Sequence, residues 1–159
     1  MLQKIIPVIS DLDTNYTAND VLGVPSGTTG YFTLTNLVER QSRFVILQSV
    51  VLTDKDSQSP SVTIHFFDQA PTNSTFTDNS ALAIHATDWT YHCGAVVLDT
   101  GDFITANGNN DVLTQKSIGL ELPHTDNGDI YCVFQIMGGG LDFASADALI
   151  YKMCFVPSA

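Results

Sequence analysis

The chain has 159 residues, enough for one domain that buries its own hydrophobic core and too few for two comfortable ones. Seventeen acidic residues against six basic ones give a net charge of -11, which argues against nucleic-acid and anionic-membrane partners and favours basic ones. Only 14% of residues are charged, so Ser, Thr, Asn and Gln must supply most of the polar surface.

Residues 4–10 are rich in β-branched side chains and carry Pro7, whose missing N–H suits an edge strand or an extended arm. Across residues 1–10, Leu2, Ile5, Ile6, Val8 and Ile9 supply the apolar side chains. They read equally as an interface arm for a neighbouring subunit or as the first strand of the domain. Residues 11–30 form a loop of Asp, Asn, Gly, Thr and Ser, with one short strand around 20–22. A strand follows over 31–37. Residues 43–52 form a long apolar run that suits a central strand. After a polar turn at 54–60, residues 62–67 alternate. Val62, Ile64 and Phe66 share one face, and Thr63, His65 and Phe67 the other. These two runs and their turn read as a hairpin.

Ala81, Leu82 and His85 have the spacing of a short helix over 79–89, the one helix expected in the chain. A strand is expected over 91–98. Gly101 and Asn107-Gly108 mark turns, and one strand fits within 112–122, before Pro123. Asn127-Gly128 is a further turn, followed by strands over 130–137 and 148–156. In the last strand Leu149, Tyr151, Met153 and Phe155 share a face. Turns at roughly 8–12-residue spacing and about eight or nine strands describe an all-β single-domain β-sandwich or jelly roll. The organisation is an N-terminal arm or edge strand over 1–15 and the sandwich over 16–159.

Cys93, Cys132 and Cys154 lie in apolar runs without C-x-x-C spacing, so all three read as reduced core thiols made in a reducing cytoplasm. Residues 1–10 lack the pattern of a signal peptide, and no apolar run approaches the ~20 residues of a membrane helix. Nucleophile-elbow, zinc-helix and phosphate-loop motifs do not occur. Gly138-Gly139-Gly140 lacks the lysine and helix of a phosphate loop and reads as a turn. His65, His85, His92 and His124 have no local ligand spacing and read as structural or surface histidines. The calcium-like start at Asp11, Asp13 and Asn15 fails at Tyr16, where Gly belongs, and at Leu22, where Glu belongs. Asn107 to Asp111 repeats the alternation and the failures. Trp89 and Tyr91 suit a sugar platform, though core or rim positions account for them more simply. The reading is therefore a binding protein, not an enzyme, with no catalytic residue, no metal and no cofactor.

Several segments match a pattern in order and spacing. They are Tyr16-Thr17-Ala18-Asn19-Asp20-Val21-Leu22-Gly23, Gln48-Ser49-Val50-Val51-Leu52-Thr53-Asp54-Lys55 and Val62-Thr63-Ile64-His65-Phe66-Phe67-Asp68. Pro71, Phe76-Thr77-Asp78-Asn79-Ser80-Ala81, Tyr131-Cys132-Val133-Phe134 and Ala144-Ser145-Ala146-Asp147 follow. From Tyr16 onward the chain resembles a group of small virion proteins of tailed bacteriophages. The resemblance implies a jelly-roll sandwich and a capsid decoration or cement role. Such a protein is made in the host cytoplasm and sits on the virion exterior. There it binds the major capsid protein and itself, as a trimer by preference or as a dimer. Two further readings of the same fold class are a receptor- or carbohydrate-binding head and a hydrolase; fold alone does not separate them.

Overall fold

A computed structural model of the chain describes residues 2–8, 15–23, 30–35, 37, 44–106, 110–115, 118–144 and 148–158. Ten strands lie among them. They are β1 (Leu2–Val8), β2 (Phe32–Leu34), β3 (Phe44–Asp54), β4 (Val62–Phe67), β5 (His92–Leu98), β6 (Phe103–Ala106), β7 (Asn110–Gln115), β8 (Leu120–Pro123), β9 (Ile130–Ile136) and β10 (Leu149–Pro157). One sheet has the order β1-β10-β3-β7-β6, with β8 also on β3, and the other has the order β2-β9-β4-β5. All the strand pairs are antiparallel. The chain crosses between sheets at six of the nine connections between these strands, so β1, β10, β3 and β8 face β2, β9, β4 and β5. That winding is a jelly roll, a β-sandwich built of two Greek keys. The β6–β7 hairpin is inserted between β5 and β8 and widens the first sheet.

Three sequence expectations need correction. First, β3 and β4 do not form a hairpin, because they lie in opposite sheets. The turn between them crosses the sandwich and is organised by Asp54, whose buried carboxylate accepts from the backbone N–H of Asp56 (2.9 Å) and Ser59 (2.7 Å). Second, the helix expected over 79–89 is absent; a 3-10 turn at Asp88–Tyr91 is all that forms there. Asn79 adopts a left-handed φ of 54°, and the backbone N–H groups of Asn79 and Leu82 donate to Val21 and Asn19. The His85 N–H, which a helix would direct to the Ala81 carbonyl, donates instead to the Ser74 hydroxyl at 2.9 Å. Third, the single strand expected within 112–122 is two, β7 on the second half of β3 and β8 on its first half.

β1 lies at the edge of its sheet among the described residues and pairs with β10 from Leu2 to Val8. Pro7 is tolerated in such an edge strand. Ile6 is buried in the core of this domain, so the sandwich includes β1.

The core lies between the sheets. Leu149, Tyr151, Met153 and Phe155 of β10, with Val45, Leu47, Val50 and Leu52 of β3, meet Val62, Ile64 and Phe66 of β4 and Ile130, Cys132, Phe134 and Ile136 of β9. A register shift opposite Cys154 and Phe155 skips Gln48. That extra residue lets both halves of β3 keep their apolar side chains inward.

Candidate functional site

The outer face of the four-stranded sheet also carries apolar side chains, and a second layer covers them. Val21, Phe67, Phe76 and Val133 form a separate buried cluster, joined by Tyr31, Leu82, Ile84, Tyr91 and Tyr131. Two chain segments build this cover, and polar contacts join them. Asp78 accepts from the Tyr16 hydroxyl at 2.8 Å and from the Gly23 N–H at 2.7 Å. Val21 donates to the Ser80 carbonyl at 2.9 Å, while its own carbonyl accepts from Asn79 at 3.0 Å. Asp20 accepts from the N–H and hydroxyl of Thr17 at 2.6 and 2.8 Å. Asn19 and Leu22 donate to Ile136 and Phe134, so this segment extends the sheet beyond β9. Gly30 closes the layer at a φ of 88°; a Cβ there would sit 1.9 Å from the Phe76 carbonyl oxygen.

The connection from β4 to β5 is held by a buried carboxylate. Asp88 accepts from the Ser74 hydroxyl at 2.6 Å and from the Asn73 amide at 2.8 Å. Burial disfavours its charge, but these hydrogen bonds outweigh that and hold its pKa below the usual range. The Ser74 oxygen also accepts from the His85 N–H at 2.9 Å. On this frame the 3-10 turn presents Trp89 to solvent, 51% exposed.

Beside Trp89 a β-bulge aims a histidine outward. β4 and β5 pair in register down to Phe66 opposite Gly94, and then Phe67 lies opposite His92, with Cys93 as the extra residue. The bulge therefore places His92 on the outer face with Phe67 and His65. Its ring lies 5.4 Å from that of His65, 5.4 Å from Phe67 and 5.1 Å from Trp89. His65 Nδ1 and His92 Nε2 are 3.2 Å apart. The network sets the tautomers. Gln135 donates its amide to Asn19 Oδ1 at 3.4 Å, leaving Oε1 to accept from His65 Nε2–H at 3.0 Å. Nδ1 of His65 is then the acceptor for His92 Nε2–H. Burial lowers the pKa of His65, only partly offset by Gln135. Burial, then the neighbouring His65, lowers that of His92. Both shifts favour the neutral rings.

The thiols of Cys93 and Cys132 are unreactive by environment. Burial first, and the Asp68 charge second, pushes Cys93 up to about 12, and full burial raises Cys132 further. All three cysteines are free.

Of the sequence-expected interface residues, Ile6 is committed to the domain's own core, Leu2, Ile5 and Val8 lie on β1, and Ile9 is outside the described residues. The turn pair Asn107-Gly108 and the calcium-like positions Asp11 and Asp13 are outside them as well. Read separately, His65 and His92 carried no ligand spacing; only strand pairing and the bulge bring them together. His85 is exposed in the β4–β5 connection, and His124 lies in the β8–β9 turn with Nδ1 2.6 Å from the Thr125 carbonyl. Among the described residues, no three His, Cys, Asp or Glu side chains form a metal-binding group.

No family model and no curated protein matches this chain. Among solved structures it is similar to one described as the native virion of Kashmir bee virus at neutral pH. That likeness has a TM-score of 0.31 and 9% identity, covering 98% of this chain and 70% of that one.

Proposed function

We propose that this protein is a structural binding protein of a bacteriophage particle, a decoration or cement protein that ties neighbouring major capsid subunits together on the virion exterior. One observation carries the reading. Two segments through which the sequence resembles small virion proteins, 16–23 and 76–81, meet in space through Tyr16, Val21, Asp78 and Ser80. They cover strands drawn from two more such segments, 62–68 and 131–134, which are β4 and β9 paired side by side. Four of the matched pieces are thus parts of one interlocked layer, as a shared architecture would require. β1, at the sheet edge among the described residues, suits strand addition by a neighbouring chain. Many copies bound across a lattice gain stability through multivalency.

The test is to measure the solution mass of the purified chain and then mix it with undecorated capsids of its phage. A dimer or trimer that binds the shell at a fixed ratio per capsid subunit is expected. A monomer that leaves the shell bare overturns the reading.

A second reading, a receptor- or glycan-binding head, has one observation in its favour: Trp89 stands half-exposed on a braced turn. A glycan array with hits that disappear in Trp89→Ala would favour it over the capsid reading.

A further inference from the structure

We propose that His65 and His92 form a binding site for a divalent transition-metal ion of the copper, nickel and zinc class. The ion would be held by His65 Nδ1 and His92 Nε2, with water completing its shell. In a tetrahedral site with metal–nitrogen bonds near 2.0–2.1 Å, two ligand nitrogens stand about 3.3 Å apart. The two imidazole nitrogens are 3.2 Å apart. They come from neighbouring strands of one sheet, so the backbone already meets the cost of bringing them together.

The surroundings suit a ligand pair. A metal-bound histidine usually donates its other ring N–H to a carbonyl or carboxylate, which fixes the tautomer. His65 does so, with Nε2–H on the Gln135 oxygen, which leaves the Nδ1 lone pair directed at His92. Gln135 is itself oriented by Asn19. In the structure as it stands, the His92 Nε2 proton is held by His65 Nδ1; an ion at bonding distance from both nitrogens sits off the line between them and displaces that hydrogen bond. On binding, that proton moves to His92 Nδ1 through water, and no net proton is released from two neutral rings. Neutral imidazoles favour copper, nickel and zinc over magnesium and calcium, which select oxygen ligands. A chain of net charge -11 also concentrates cations at its surface. The site is independent of capsid binding and is tested on the isolated chain.

The chain's one tryptophan, Trp89, packs against His92 and reports on the site. The untagged full chain is titrated with copper(II) chloride at pH 7.5 while Trp fluorescence is followed. Saturable quenching at one ion per chain is expected, reversed by excess zinc(II) and absent with magnesium(II). His65→Ala leaves the contact between Trp89 and His92 in place and should weaken copper binding at least tenfold. His85→Ala, four positions before Trp89 and outside the pair, should leave it unchanged. Quenching that persists in His65→Ala, or disappears only in His85→Ala, overturns the site. If His65→Ala does not fold, the ring nitrogens of the wild-type chain decide by NMR. On adding zinc(II), shifts of both His65 Nδ1 and His92 Nε2 support the site, and unmoved resonances overturn it.

Discussion

On its inner side, β9 presents Phe134, whose ring lies 5.3 Å from Phe32 and 4.4 Å from Tyr151. On its outer side, the next residue is Gln135, hydrogen-bonded to His65 and Asn19. One strand thus takes part in two layers built by different means. The inner layer is apolar contact between sheets, aromatic pairs included, and gains stability roughly in proportion to the area buried. The outer layer has a smaller apolar cluster and depends on carboxylates placed where backbone N–H groups and hydroxyls converge. Such polar contacts add little each when made but cost much when half-broken, because a buried partner is left unpaired. The inner layer therefore tolerates similar apolar shapes, while the outer one depends on particular atoms.

Four substitutions sharpen that contrast. Phe134→Ala empties the centre of the inner layer and should cost about 4 kcal/mol, read as a lower urea midpoint. Gly30→Ala drives a Cβ into the Phe76 carbonyl at a left-handed φ; a loss of about 3 kcal/mol is expected in the same measurement. If this glycine tolerates alanine, the outer layer is looser than the geometry requires. Asp78→Ala removes a carboxylate that accepts from the Tyr16 hydroxyl and the Gly23 N–H and should cost about 2 kcal/mol. Tyr151→Phe runs the other way. Its buried hydroxyl has no hydrogen-bond partner among the described groups, and burial raises its pKa well above the ordinary value. Removing it should leave stability unchanged or raise it by up to about 1 kcal/mol. A clear loss would show that the inner layer, too, depends on polar contacts.

Acid should reveal the outer layer separately. Asp88 has a folded pKa below its ordinary 3.8, so its contribution is fully present above 3.8 and is lost as pH falls through the folded value. Wild type should therefore exceed Asp88→Asn in stability at pH 7. The gap should narrow below pH 4 in parallel urea titrations. A gap that stays constant with pH would mean that the carboxylate charge is not what braces the β4–β5 connection.

The period-two alternation along β4 and β10 was legible as it stood, because a half-buried strand shows its inner face at every second residue. The same rule misled at β3 and β4. Adjacent alternating runs with a polar turn between them look alike whether they pair or cross to opposite sheets. The segment 79–89 has helical spacing, but its first residues pair with positions some 60 residues earlier, and no local pattern records that. The imidazole pair is not written in the local sequence for a related reason. Without the bulge at Cys93, parity would turn His92 away from the face that holds His65.

Composition, charge and alternation by themselves determined an acidic, all-β, two-sheet domain with Leu149, Tyr151, Met153 and Phe155 on one inward face, because these properties are written residue by residue. Only the tertiary structure decided which strands pair, that Ile6 belongs to this domain's own core, and that Asp78, Asp88, His65 and His92 each find their partners. Those outcomes depend on contacts between distant parts of the chain, and on single-residue register shifts that reverse the direction in which a side chain points.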